Sequence, residues 1–500
     1  MSRLFHQCDT PLLSMLHQWA NRDYVPFHTP GHKQGRGASL PLLDCLGLRA
    51  LQSDLPELPE LDNLFAPQGV IWQAQKLAAE AFGAENSYFL TNGSTSGVVA
   101  ALWSVGANGG KVILPRNVHQ SAISGLILSG AIPIFMSPDY DERLGLFHGA
   151  TSEGVAAALQ SHPDAQAVFI VSPSYFGVVG DVGAIATLAH QHQIPLLVDE
   201  AHGAHFVFHP QLPPSALQSG ADVSVQSTHK TLSALTQAAM LHVQGHRIKS
   251  DRLHQALQMF QSSSPNYLLL ASLDGARQQM ATVGHDLMHH TISLANSIRR
   301  GITQLPKLRV LSVEDSGQTP GFVYLDPTRI TIDVGELGIT GYEADQQLHQ
   351  RLGVTAELAT HQHLTLIITP GTTPGDCVRL LDALSELTQV TPNLSSTLLT
   401  QIPLQFSLEL ALSPREAVFS SHKSVPLAQA CNHISADLIC PYPPGIPALI
   451  PGEVITPEVI TGLQQIIASG GWVTGGSDPS LKTMRVVQYD NSHRQPLRGI

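Results

Sequence analysis

The stretch ADVSVQSTHKTLSALTQAAMLHV, residues 221–243, carries one lysine, Lys230, directly after a run of small and apolar residues. A lysine at the end of what reads as a buried strand needs a reason, because lysine is almost never buried without a partner. Upstream, IPLLVDEAH (194–202) repeats the pattern with an acid, Asp199, at the end of the run. KVILP (111–115), AIPIF (131–135) and AVFIVSP (167–173) are further runs of this kind, with helical patterns between them. Short continuous apolar runs alternating with helices predict an α/β fold with a mostly parallel sheet covered on both faces. Ligands in such folds sit beyond the carboxyl ends of the strands. The residues immediately after each run are therefore the candidates for chemistry.

Outside this region the chain divides by pattern. Residues 1–60 read as an N-terminal segment and 61–305 as the large domain. Its last part, about 249–305, has helical periodicity over several turns and connects to the next domain. Residues 306–395 read as a small α+β domain and 396–500 as a C-terminal domain, with a linker candidate beginning at TPNLSSTLLT and turn-rich PYPPGIP further on. A chain of 500 residues with 43% hydrophobic content is long enough for more than one core. A net charge of -12 gives no basic footprint for nucleic acid, which is excluded as a partner. Five scattered cysteines without CxxC pairs argue against a disulfide framework and a thiolate metal site. No apolar run is long enough for a membrane span, and a cytoplasmic protein is expected.

An acid and a lysine at the ends of separate strands suit pyridoxal 5'-phosphate. Its aldehyde needs a lysine for a Schiff base and its pyridine nitrogen needs a carboxylate, so Lys230 and Asp199 are the candidates. FLTNGSTSGVVAAL offers a phosphate site in Ser94, Thr95 and Ser96 at a helix start, and Ser227 and His229 can complete the cup. His119, in PRNVHQS after KVILP, is placed to stack on a pyridine ring, and His202 to lie near its other face or its phenolic oxygen. DEAH occurs in helicases, but no Walker loop accompanies it. In a chain with 25 histidines, His202, His205 and His209 read as cofactor packing and surface, and no metal is expected.

FHTPGHKQGRG, LPELDNLFAPQGVIWQAQKLAAEAFGA, LTNGSTSG, VDEAHGAHFVFHP, STHKTLSALTQAAMLHV, SSSPNYLLLASLDGAR and PYPPGIPALIPGE together span nearly the whole chain. In them the sequence resembles the ornithine/lysine/arginine decarboxylase family, fold-type I pyridoxal-phosphate enzymes, in its short bacterial form. The resemblance implies Lys230 as the lysine that binds the cofactor, Asp199 under the pyridine nitrogen and His119 on the ring. Around the phosphate it implies Thr95, Ser96, Ser227 and His229. It also implies a shared site in which Ser263 reaches the neighbouring subunit's phosphate; the family often has threonine there, and serine keeps the hydroxyl. FHTPGHK begins at Phe27, leaving no room for the N-terminal wing domain of long members. A homodimer or tetramer is expected rather than a wing-dependent decamer.

The expected reaction is decarboxylation of a basic amino acid: arginine to agmatine first, with lysine to cadaverine or ornithine to putrescine next. Lys230 or His202 would return a proton to Cα. The substrate's distal cation needs an acceptor, for which Glu416 in SPREA and Glu453 in PGE are the candidates. Two rivals remain: an aminotransferase or lyase on the same fold, with Arg415 as carboxylate binder, and a non-catalytic pyridoxal-phosphate protein with a regulatory role.

Overall fold

Buried on both faces, the apolar runs form one seven-stranded sheet in the computed structural model, which describes residues 6–107, 109–389, 409–442 and 444–488. The spatial order is Asn86–Leu90, Ala239–Val243, Val223–Gln226, Leu196–Asp199, Ala167–Val171, Lys111–Pro115 and Ile132–Met136. The last five are mutually parallel, and Ala239–Val243 runs antiparallel to both of its neighbours. Leu114, Phe169, Leu197 and Val225 point to one face, under the helices Gly93–Gly106 and Gln120–Ser129. Ile113, Val168, Ile170 and Val198 point to the other, under Ser152–Ser161 and Val182–Gln191. This double cover is why the strands read as unbroken apolar runs rather than as alternation.

Asn86–Leu90 is a strand that the apolar-run criterion missed. It lies at the sheet edge, and its sequence NSYFL mixes polar with apolar residues.

The periodic segment after residue 249 forms two helices, Ser250–Phe260 and the 36-residue Tyr267–Ile302. At 1.5 Å per residue the second is about 54 Å long. Its first half, with Tyr267, Leu270 and Leu273, shares a core with Leu12 and Leu16 of the N-terminal helix Pro11–Ala20. Asp274, fully buried, accepts hydrogen bonds from the Leu12 and Leu13 amides and from Arg277, whose guanidinium also donates to the Gln7 and Asp9 carbonyls. The second half, with Leu294, Ala295 and Ile298, enters a different core with Ile330, Ile332 and Leu364. One helix therefore ties the large sheet to the small domain.

The small domain is a four-stranded antiparallel sheet, Arg309–Val310, Arg329–Asp333, His363–Ile367 and Leu358–Ala359, packed on the helix Pro374–Leu387. Beyond it, His422–Pro426 pairs with Thr483–Val487 and Cys440–Tyr442 with Trp472–Thr474, and these surround the helix Pro457–Ala468. Most of the predicted linker, residues 390–408, lies outside the described residues. Among the described residues no helix is long and apolar enough to cross a membrane.

Candidate active site

Register brings the acid and the lysine to the same edge. Asp199, the last residue of its strand, pairs with Val225, and the chain two residues past Val225 turns into the short helix Thr228–Thr231 that carries Lys230. Asp199 is buried, and its carboxylate accepts from the Ala201 amide at 3.1 Å. Burial raises its carboxyl above the usual range, and the Lys230 charge works in the opposite direction. Burial likewise lowers the Lys230 ammonium, against the pull of Asp199 and Glu357 and with a further push from Arg329. Asp199 and Lys230 form no ion pair with each other among the described contacts, so the buried acid still calls for a cation. Lys230 Nζ lies 3.1 Å from His202 Nε2 instead.

The predicted phosphate cup assembles around the start of Gly93–Gly106. Ser227 Oγ donates to Ser94 Oγ at 2.7 Å, bridging two strand ends. Thr95 is exposed beside them, and no side chain caps the helix start, which leaves first-turn N–H groups for an anion. Ser96 turns its hydroxyl into its own helix, donating to the Gly93 carbonyl at 2.9 Å. His229 Nδ1–H donates to the Ala238 carbonyl at 2.9 Å, and burial lowers the ring's pKa, so Nε2 is a bare acceptor with no hydrogen to offer an anion.

His119 stands at the N-cap of Gln120–Ser129, with Nδ1 bonded to the Ser121 hydroxyl and amide. Burial, and after it the Lys230 charge, pushes its pKa down to about 4, so the ring is neutral and suited to stacking. The C-terminal domain closes over it. Gly445 has φ +83°, a Cβ there would stand 3.2 Å from His119 Nε2, and its carbonyl accepts from the Gln120 amide at 3.1 Å. Only glycine satisfies both the backbone conformation and the close approach.

Several predicted residues lie elsewhere. Ser263 is exposed and makes no described contact with the cup of its own chain. Neither glutamate proposed for the distal cation is available to it. Glu416 closes the capping box of Pro414–Phe419, accepting from the Ser413 amide and hydroxyl. Glu453, buried, binds Arg116 through both carboxylate oxygens at 2.7 Å. Arg415 donates to the Ile127 and Leu128 carbonyls at a helix C-terminus, which removes it as a carboxylate binder. The three histidines also separate. His202 faces Lys230, His205 pairs with Asp326, and His209 makes ring contacts with His285 and His289.

Two residues of the site escaped the sequence reading. Tyr175, in SPSYFG after Ala167–Val171, sets its ring edge-on to His202 with centroids 5.2 Å apart; the strand-end rule could have found it. Burial, then Asp199, holds its hydroxyl far above the usual tyrosine range. Arg329 comes from the first residue of a small-domain strand, and its Nη2 lies 2.9 Å from His202 Nδ1. No local pattern marks it, because its approach depends on how the two sheets meet.

A lysine, a buried unpaired carboxylate, a neutral ring histidine and an open helix start, gathered at the carboxyl ends of a mostly parallel sheet, define the fold-type I class of enzyme. The chain belongs to the Orn/Lys/Arg decarboxylase family: the pattern of that family's major domain matches residues 10–376 and that of its C-terminal domain residues 396–469. An arginine decarboxylase of Bacillus subtilis is 40% identical over 96% of this chain and 98% of its own length. A lysine decarboxylase of Pseudomonas aeruginosa is 26% identical, over 89% of this chain and 74% of its own. The crystal structure of a lysine decarboxylase from Francisella novicida superposes with a TM-score of 0.82 at 23% identity, covering 96% of this chain and 81% of that one.

Proposed function

We propose that this decarboxylase acts on arginine, releasing carbon dioxide and agmatine, with pyridoxal 5'-phosphate held at Lys230. The observation that carries the reading is the placement of Asp199 and Lys230, both largely buried and not paired with each other, on adjoining strand ends. The residues fit the group. Asp199 would hold the pyridine nitrogen, Lys230 the aldehyde carbon and His119 the ring. Ser94, Thr95, Ser227 and the open start of Gly93–Gly106 would hold the phosphate. When bound, the cofactor supplies an electron sink for the pair left behind as carbon dioxide departs.

The chain's own residues prepare that site. Burial of Asp199 strengthens its interaction with a nearby charge and favours a partner nitrogen that holds a proton. Neutral, His119 would lie against the cofactor ring without repelling its charge. The Gly445 backbone packs against the Nε2 edge of the His119 ring.

Arginine is chosen over lysine and ornithine because the 40%-identical relative over nearly the full chain is an arginine decarboxylase. Carbon dioxide release from arginine, lysine, ornithine and a neutral amino acid is the test. Arginine is expected to be fastest by at least about tenfold in kcat/KM, since a site that hydrogen-bonds a planar guanidinium is left with unpaired groups by a shorter ammonium. Keto acid formation without carbon dioxide would instead indicate an aminotransferase.

The reading includes two copies sharing their sites. Phe27, Leu40, Leu46 and Leu48 are exposed apolar side chains on one stretch of the N-terminal segment, a face that a second copy would cover. Ser263, exposed in its own chain, would then reach the neighbour's phosphate. Light scattering is expected to give two or four times the chain mass; a monomer with full activity would reject the shared site.

A further inference from the structure

Arg329 is among the largest side chains wholly removed from solvent, at 1% exposure, and no carboxylate among the described residues forms an ion pair with it. Its Nε and Nη1 have no hydrogen-bond partner, while Nη2 lies 2.9 Å from His202 Nδ1. Its stem passes over Gly177, φ +88°, where a Cβ would stand 2.7 Å from Arg329 Cβ. Asp326 and Glu357 act on its charge from beyond ion-pair distance, but a buried guanidinium with two unbonded nitrogens is still costly, and such groups concentrate at functional sites.

The donor and acceptor capacities of the three groups leave one arrangement. A guanidinium only donates, so His202 Nδ1 is the bare, accepting nitrogen. The ring hydrogen is then on Nε2, which faces Lys230 Nζ at 3.1 Å. An ammonium also only donates, so this contact is a hydrogen bond only when Lys230 is an uncharged amine that accepts from Nε2–H. We propose that Arg329 is a positioning residue that fixes the His202 tautomer and, through the Nε2–H, holds Lys230 as a free amine ready to attack an aldehyde. The inference rests on Lys230 being the cofactor-binding lysine and deepens that reading. It also restricts His202: while Arg329 occupies Nδ1 the ring cannot take a second proton, so it is a fixed donor and not a proton carrier.

Other charged and titratable groups bear on Lys230. Asp199 from the neighbouring strand end and Glu357 from the small domain favour the ammonium; Arg329 opposes it, and His119, His229 and Tyr175 complete the surround of His202. Burial lowers His202 well below its ordinary value, and the Lys230 and Arg329 charges act in the same direction, in keeping with a neutral ring.

The test is the pH dependence of Lys230 acetylation by acetic anhydride in the cofactor-free full chain, read by peptide mass spectrometry. In the unsubstituted protein the midpoint is expected well below that of a surface lysine. Arg329→Met, which removes the donor and its charge, is expected to move the midpoint up by about one pH unit, which is about tenfold slower labelling near neutral pH. Arg329→Lys, which keeps a donor and a cation, is expected to restore most of the low midpoint. An unmoved midpoint in a folded Arg329→Met protein overturns the proposal. If that variant does not fold, the unsubstituted protein decides: labelling half-maximal near about pH 10, as for an ordinary lysine, also overturns it. Neither cofactor nor substrate is present, so failure of the decarboxylation reading would show separately, as no carbon dioxide release alongside a low Lys230 midpoint.

Discussion

Lys230→Ala is expected to abolish turnover, on the order of 10⁴-fold or more, the scale on which loss of a single essential nucleophile registers. The purified protein should also lose the visible absorbance that a lysine-bound cofactor gives. The substitution removes an amine whose burial is unfavourable, so the sheet should keep its strand pairing and the circular dichroism spectrum should not change. The surroundings remain, with Asp199, His119 and the Ser94–Ser227 pair unchanged, and under the proposed reading they would hold the cofactor without a covalent bond. A free cofactor would therefore be retained weakly and washed out on dialysis. Visible absorbance and carbon dioxide release both surviving in Lys230→Ala would move the cofactor site elsewhere in the chain.

What could be read from the sequence was what local pattern encodes. Apolar runs at Leu196–Asp199 and Val223–Gln226 announce doubly covered strands, and the residues at their ends, Asp199 and Ser227 to Lys230, inherit their place from that geometry. The hydroxyls at Ser94 to Ser96 were legible for the same reason, being at a helix start after a strand. Only contact distances could show that Ser96 turns its hydroxyl inward while Ser94 meets Ser227. Glutamates resist such reading, because one motif context suits a cap, an ion pair or a ligand. Glu416 follows Ser413 by three residues, the spacing of a capping box, and that local signal was a better guide to its role than its place near the C-terminus. Arg329 illustrates the opposite limit. Its partner His202 is 127 positions away, and the two meet because the helix Tyr267–Ile302 holds the small sheet against the large one.

Glu453→Ala is expected to be the most destabilising of these substitutions. Arg116 spans the two carboxylate oxygens of Glu453 with Nε and Nη2, each at 2.7 Å, and gives Nη1 to the Pro447 carbonyl at 2.8 Å. Glu453 also accepts from the Ile450 amide at 2.9 Å, and neither side chain reaches solvent. Removing one partner of a buried ion pair costs about 3–5 kcal/mol. Calorimetry should show a melting transition lowered by several degrees. The effect should also reach the site, because this arginine anchors the segment 444–453, whose Gly445 rests on His119 and accepts from the Gln120 amide. Cofactor affinity is expected to fall along with stability. Arg116→Met combined with Glu453→Leu separates the two effects: an apolar pair of similar bulk should recover most of the stability, since the buried ion pair itself adds little over well-packed hydrophobes. If cofactor affinity recovers with it, the pair acts on the site only by holding the loop down. Affinity that stays low at restored stability would mean that the Arg116 charge itself is felt at the site.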